Sequence, residues 1–562
     1  MQSSKLLVGL CLLTRLFAQS LPEVDLGYEI HRALEYDDVD ETYLFKNVRY
    51  AQAPVGDLRF AAPVPPRGRN TDVQTGAKPV ICPQGVPAWN LVQTQWLSWY
   101  LAGNASLFNF TQAEITSQAI VAARGGVVAN NTVASEDCLV LDVMVDRDVF
   151  ENAANVTSGK SAGVPVVLWI HGGGYVFGYK DSSGTGAGLL RAARSDGRRL
   201  IFVPINYRLG AFGFSSGPTF QAAGGVANAG LYDQRRAIEW VAENIHLFGG
   251  DKNQITILGE SAGGGSVAHQ LAAFGGQNPA PIKRAIAQSP GYHAVPSFST
   301  QEGVWESFLS YLNVGTFEEA RAASSEAIIA ANEAQVADSG WSKYTYNPVV
   351  DGIFAPNLPA RAFAIGAYNK NVTVLAGHNT REGVYFTIPT IETDDDLGAW
   401  LKTLFHTITD ETLADLYANV YPAKYDGSLP YTNGLDRAVL VSAEYIFHSN
   451  KNFLAQAYSD KYYSYMFQVE PGLHGSDVLY TFYDGTDGRN TTPLVDNVAL
   501  MLQSYIANFV TSGDPNGNGN VPFFPAHGTN GSMNGLNVTG VTIETDPTDN
   551  NRTRWWGKAL YV

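Results

Sequence analysis

Three short runs carry apolar residues at consecutive positions rather than at alternate ones. They are "VPVVLWI" (164–170), "LIFVPINY" (200–207) and "QITILG" (254–259). Unbroken apolar runs of this length, rich in β-branched residues, suit strands covered on both faces. Between the second and third lies "LYDQRRAIEWVAENIHLF" (231–248), where Ala237, Ile238, Val241, Ile245 and Leu247 recur close to helical spacing with charges between them. Strand, helix, strand in that order predicts a right-handed crossover and a mostly parallel sheet. "VTVLAG" (372–377) and "KYYSYMFQVE" (461–470) add two later strands, and the stretch from about 300 to 450 reads as helix-rich elaboration around the same sheet. Residues 512–520, "SGDPNGNGN", form a surface loop by their Gly, Asn and Pro content. No segment reads as a linker, so residues 21–562 are expected to form one large α/β domain.

Composition narrows the function. The 562 residues carry a formal net charge of −16, which argues against a nucleic-acid partner, since such binding rests on a basic surface. The first residues, "MQSSKLLVGLCLLTRLFAQSLPEV", place Lys5 before an apolar run and small residues at Ala18 and Ser20. This is the pattern of a secretory signal over residues 1–20. No later stretch reaches 18 apolar residues, and "RWWGKALYV" offers no lipid-anchor tail, so neither a stable membrane insertion nor an anchor is expected. Extracellular location gives the cysteines meaning. Once the signal is removed with Cys11, only Cys82 and Cys138 remain, and two thiols in an oxidising compartment are expected to pair. Asn-X-Ser/Thr triplets at Asn104, Asn109, Asn130, Asn155, Asn371, Asn490, Asn530, Asn537 and Asn551 fit a glycosylated, secreted chain.

The third strand runs into "GESAGGGS" (259–266), and a helix pattern follows. A serine at a sharp strand-to-helix turn holds a strained backbone, and its neighbours two positions away approach other segments closely. Gly259 and Gly263, lacking Cβ atoms, permit that. The pattern predicts a nucleophile elbow with Ser261 Oγ raised at the sheet edge. A second glycine cluster, "WIHGGGYVFG" (169–178), follows the strand 164–170. The N–H groups of Gly173 and Gly174, with that of Ala262, would bind an oxyanion.

A serine hydroxyl needs a base at neutral pH. Nucleophile, acid, histidine is the order such sites follow, which places the base after Ser261. "EPGLHGSDVLY" (470–480) puts His474 just past a strand and between glycines. His378, His406, His448 and His527 are expected to be surface or outlying residues. Glu382 in "LAGHNTREGVYF" follows the strand 372–377 and is placed to hold the Nδ1 of His474. Asp351 is a rival by position, although its "VVDG" context reads as a turn.

Taken together, "NVRYAQAPVGDLRF" (47–60), "SEDCLVLDV" (135–143), "WIHGGGY", "INYRLGAFGF" (205–214), "NAGLYDQRRAIEWV", "GESAGG", "NTREG" and "GLHGSD" resemble, in order, the type-B carboxylesterases, a family that includes fungal lipases and cholinesterases. The resemblance runs from about Val24 to an expected last strand near 555. It implies an α/β-hydrolase fold, with Ser261 as nucleophile, Glu382 as acid, His474 as base, and Gly173, Gly174 and Ala262 as oxyanion donors. It also implies a Cys82–Cys138 disulfide, an Arg59–Glu136 ion pair, and a Glu260 that tunes the site electrostatically. Tyr175, Glu260 and Tyr292 are expected to contact substrate, and the segment after "AQSPGYHAVP" to line an acyl pocket with Tyr292 and His293. The second disulfide of many relatives has no cysteines here, and the Cys82–Cys138 segment is longer than in the cholinesterases.

That segment, "PAWNLVQTQWLSWYLAGNASLFNF" (87–110), holds six aromatic residues and reads equally as a flap over an apolar pocket or as a packed surface lobe. The expected activity is hydrolysis of apolar acyl or aryl carboxylic esters through an acyl-enzyme, with no cofactor and no metal. The alternative is a non-catalytic adhesion or binding protein of the same family, which would have lost residues of the Ser261–His474–Glu382 set.

Overall fold

The computed structural model describes residues 21–127, 133–485, 495–519 and 521–559. The proposed signal and the triplets at Asn130 and Asn490 lie outside them. Among the described residues there are fourteen strands: β1 (Glu23–Asp25), β2 (Glu29–Arg32), β3 (Glu35–Asp37), β4 (Thr42–Arg49), β5 (Asn70–Gln74), β6 (Val140–Asp146), β7 (Val164–Ile170), β8 (Ile201–Ile205), β9 (Gly250–Glu260), β10 (Arg284–Gln288), β11 (Thr373–Asn379), β12 (Tyr462–Phe467), β13 (Ser532–Asn537) and β14 (Gly540–Thr545). Eleven of them make one sheet in the order β14-β13-β12-β11-β10-β9-β7-β8-β6-β4-β3, and β1, β2 and β5 make a small separate one. Every neighbour pair from β8 through β13 is parallel, with antiparallel strands at both flanks.

The unbroken apolar runs have a plain cause. Successive side chains of a strand point to opposite faces. Val166, Leu168 and Ile170 of β7 enter one buried cluster with Ile238 and Trp240 of the helix Ala229–Asn244. Val167 and Trp169 enter another, with Leu502, Ile506 and Phe509 of the helix Asp496–Ser512. Both faces are covered, so no polar alternation is tolerated. A third cluster gathers late helices, including Asp394–Leu404 and Gly434–Ala443, around Trp89, Phe386, Phe447 and Trp556. The C-terminal segment ends as a short helix, Asn551–Trp556, and not in the strand expected near 555. The Asn550 side chain accepts hydrogen bonds from the Arg552 and Thr553 amides and caps that helix, while the last strand is β14.

The parallel strands end level. Glu260 of β9 pairs with Gln288 of β10, which pairs with Gly377 of β11. Asn379 at the end of β11 pairs with Phe467 at the end of β12. Segments leaving these carboxyl ends therefore share one rim, the position where open α/β sheets bind ligands.

Cys82 and Cys138 are joined by a disulfide with their Cα atoms 5.1 Å apart. The bridge closes an excursion that contains the helices Ala88–Leu101 and Phe110–Val127. The first of these is docked, with Trp89, Val92, Gln93 and Trp96 buried. Trp99 and Leu101 face solvent, as does Leu107 beyond them. Arg59 and Glu136 form a buried two-pronged ion pair at 2.8 and 2.6 Å. Asn104, Asn109, Asn155, Asn371, Asn530 and Asn551 are exposed, and Asn537 is half-buried. Among the described residues no helix is long and apolar enough to cross a membrane.

Candidate active site

Ser261 sits between β9 and the helix Ala262–Ala272 with φ 56° and ψ −123°. Such a backbone costs on the order of 1–3 kcal/mol in a non-glycine residue and persists only where the surroundings fix it. Three hydrogen bonds do so. The Ser261 amide donates to the Gln288 carbonyl at 3.0 Å, and the Ser261 carbonyl accepts from the Gly265 and Gly291 amides at 2.8 and 2.9 Å. The flanking glycines are sterically required. A Cβ on Gly259 would lie 3.0 Å from Gly263 Cα and closer still to its carbonyl, and one on Gly263 would lie 2.9 Å from the His171 carbonyl oxygen.

Glu382 follows β11 and is completely buried. Its Oε1 accepts hydrogen bonds from the Ser289 hydroxyl and the Asn379 amide, both at 2.6 Å, and from Asn379 Nδ2 at 3.2 Å. Its Oε2 lies 2.6 Å from His474 Nδ1, and His474 Nε2 lies 2.8 Å from Ser261 Oγ. Burial opposes ionisation of Glu382, but the His474 interaction together with these donors holds its carboxyl down at about 2. An ionised carboxylate only accepts, so Nδ1 carries the proton and Nε2 is left to accept from the serine. The imidazole is gripped by rings: Phe447 stacks on it at 4.3 Å and Phe386 meets it edge-on at 5.0 Å. Asp351, the rival acid, is engaged in a turn, accepting from the Ile353 and Ala355 amides.

Glu260 Oε1 stands 3.3 Å from His474 Nε2, on the serine side of the ring. Burial pushes Glu260 up to about 8, with the Asp477 and Glu382 charges adding to the shift and His474 opposing it. Burial alone would depress His474. The Glu260 and Glu382 carboxylates overcome that and raise it above its ordinary value.

The glycine loop after β7 brings Gly172 against the serine turn, where a Cβ would lie 3.0 Å from Ser261 Cβ, and Gly173 (φ 108°) and Gly174 (φ 60°) follow it directly. Among the described residues no acceptor takes the N–H of Gly173, Gly174 or Ala262. Cβ atoms here would collide, at Gly173 with the Phe177 backbone and at Gly174 with the Tyr344 ring, at 2.6 Å from its Cγ.

Tyr175 and Tyr292, expected to contact substrate, are both buried. Tyr175 is 1% exposed; its ring packs edge-on against Phe214, and its hydroxyl points to the Gly291 carbonyl at 3.4 Å. Its backbone has a φ of 63°, and its hydroxyl lies by Gly265 and Gly291, the two residues whose amides hold the Ser261 carbonyl, so the ring packs behind the serine turn. Tyr292 is buried edge-on against His269 and borders a small cavity with Trp556, while the adjacent His293 faces a larger one. Of the late histidines, expected at the surface or in an outlying shell, His406 is exposed, while His378 on β11 and His527 are buried.

Sequence reasoning missed Ser289, Asn379 and Asp477. Asn379 Nδ2 lies 3.1 Å from Asp477 Oδ1, and Tyr465 donates to Asp477 Oδ2 at 2.6 Å, so a buried polar network backs the acid. One signal was available: Ser289 and Asn379 are polar residues at the very ends of apolar strands.

The sequence profile of the carboxylesterase family matches residues 31–555. The chain belongs to the carboxylesterase family. It is a carboxylic ester hydrolase. "Carboxylesterase patB" of Penicillium expansum is 36% identical over 544 residues, covering 96% of each chain. A "Secreted lipase" of Arthroderma benhamiae is 30% identical over 398 residues, covering 68% of this chain and 72% of its own. Among solved structures, Aspergillus niger EstA shares the fold with a TM-score of 0.77 at 24% identity, covering 96% of this carboxylesterase-family chain and 98% of its own.

Proposed function

We propose that this ester hydrolase works through an acyl-enzyme on Ser261, outside the cell, after removal of residues 1–20. The carrying observation is the hydrogen-bonded series Ser261–His474–Glu382 beside three unclaimed N–H groups. His474 Nε2 takes the hydroxyl proton as Ser261 Oγ attacks the ester carbonyl. The imidazolium that forms is stabilised by the buried Glu382 carboxylate. The tetrahedral oxyanion is received by the amides of Gly173, Gly174 and Ala262, the last at the N-terminus of a helix. His474 then protonates the departing alkoxide, and water repeats the cycle to release the acid. The named secreted lipase among the relatives supports the extracellular location.

Hydrolysis of p-nitrophenyl esters from acetate to palmitate tests this, with Ser261→Ala alongside. A working wild type and an inactive variant are expected, and the chain-length optimum assigns esterase or lipase character. Retained turnover in Ser261→Ala removes the serine mechanism. A folded wild type that cleaves no ester returns the binding-protein alternative.

A further inference from the structure

A cavity adjoins the site without including Ser261. It encloses about 550 Å³ and shares a wall with the glycine loop, because Tyr344 both lines it and lies against Gly174. His293, on its rim, is two residues past Gly291, whose amide holds the Ser261 carbonyl. Its walls are not those of a hydrocarbon pocket. Val304, Val349 and Phe405 give an apolar side, but Thr300, Ser307 and Lys343 face the same space.

Lys343 is the unusual member. Its Nζ meets the exposed His406 Nε2 at 3.1 Å, and among the described residues no carboxylate pairs with it. Partial burial pushes its ammonium below the usual lysine value, and the Lys343 charge holds His406 down as well, so His406 is its neutral partner. The one acid on the cavity wall, Asp338, accepts from Tyr311. The Lys343 backbone is fixed independently, since its carbonyl accepts from Trp89 Nε1 at 2.9 Å. A half-buried cation with no carboxylate partner, on the wall of an empty space that meets the glycine loop through Tyr344, is poised for an anion brought by the substrate.

We propose that this cavity receives the acyl portion of esters bearing a terminal carboxylate, with Lys343 as the residue that selects for the negative charge. The proposal rests on the ester-hydrolase reading and specifies its substrate class as monoesters of dicarboxylic acids.

The test compares two esters of equal acyl length, p-nitrophenyl hydrogen glutarate and p-nitrophenyl pentanoate, on wild type, Lys343→Gln and Lys343→Arg. Lys343→Gln is expected to lower kcat/KM for the anionic ester about tenfold, the size of one charge-assisted contact, and to leave the pentanoate within about twofold. Lys343→Arg is expected to retain the preference. Equal effects on both esters, no effect on either, or a wild type that cleaves only the pentanoate overturns the proposal. If wild type cleaves neither ester, the hydrolase reading fails. The cavity is then judged by equilibrium binding of monomethyl glutarate to Ser261→Ala and Ser261→Ala/Lys343→Gln. Weaker binding to the second supports the cavity assignment, and equal binding overturns it.

Discussion

Replacing Gly173 by alanine places a methyl group against the turn that carries two of the proposed oxyanion donors. The added Cβ would lie 2.7 Å from the Phe177 carbonyl carbon, where ordinary contact begins at 3.4 Å, so at least 0.7 Å of movement is needed (3.4 − 2.7). The obstacle is backbone, which does not swing aside as a side chain does. It is held in place by the hydrogen bonds that the Val176 and Phe177 amides make to the Gly173 carbonyl. The φ of 108° adds strain of roughly 1–2 kcal/mol for any L-residue. Relief comes from rotating the Gly173 peptide, which takes its N–H out of aim. Loss of one oxyanion donor lowers kcat by roughly 10²–10³. The assay is p-nitrophenyl butyrate turnover, with kcat expected to fall by that factor and KM to change little, since the donor acts on the transition state. Gly197→Ala is the control, because it has a positive φ of 69° but nothing within 4 Å of the new methyl. It is expected to lose stability through strain alone and to keep its kcat. A folded Gly173→Ala enzyme within about threefold of wild type would refute the assignment of this amide.

Glu260 and His474 titrate as a coupled pair, and the base must be neutral to accept the serine proton. Because the carboxylates raise His474, the acid limb of kcat/KM is expected above 6.5, with activity lost as pH falls through it. Glu260 is itself pushed up to about 8, so near neutrality the pair shares one proton; Glu260→Gln removes the partner that shares it, and the limb is expected to move to lower pH, while an unmoved or upward-shifted limb in a pH–rate profile counts against the coupling. Lys451 is fully buried and ion-paired with Asp546, itself flanked by His527 Nε2 at 3.4 Å. Lys451→Met strands that carboxylate and is expected to cost about 3–5 kcal/mol in urea unfolding, with part recovered in Lys451→Met/Asp546→Asn; a loss below about 1 kcal/mol would show the pair to be dispensable.

The central strands were legible because burial on both faces leaves no choice of residue, and the Ser261 turn was legible because two backbones leave no room for a Cβ at Gly259 or Gly263. His474 and Glu382 could be placed because each follows a readable strand. What escaped was whatever depends on which way a side chain turns. Tyr175 stands beside the oxyanion glycines in sequence, yet its ring packs behind the serine turn. Strands β1, β2 and β5 are short and carry Glu23, Asp25, Glu29 and Asp72, so no apolar period marks them. Ser289, Asn379 and Asp477 come from three separate segments, and only the level ending of β10, β11 and β12 makes them neighbours. The aromatic segment 87–110 was balanced between flap and lobe. Its helix is tied down by Gln93 Nε2 to the Val384 carbonyl at 2.7 Å and by Tyr100 to Arg381 at 2.8 Å, next to the acid.

The Cys82–Cys138 bridge has a consequence for how this excursion can vary between proteins. Its two ends are clamped together, so the sheet experiences the same pair of attachment points whatever length of chain hangs between them. Loop closure depends only weakly on length, which makes the excursion an exchangeable cassette from the sheet's standpoint. The active site sees it differently. Gln93, Tyr100 and Trp89 reach the acid's turn and the Lys343 carbonyl from the near helix alone. A transplanted excursion that keeps this first helix brings its site contacts with it, whereas one that alters it rewires the turn carrying Glu382. Length is thus free to drift at the far end of the cassette, and chemistry is inherited through its first fourteen-residue helix.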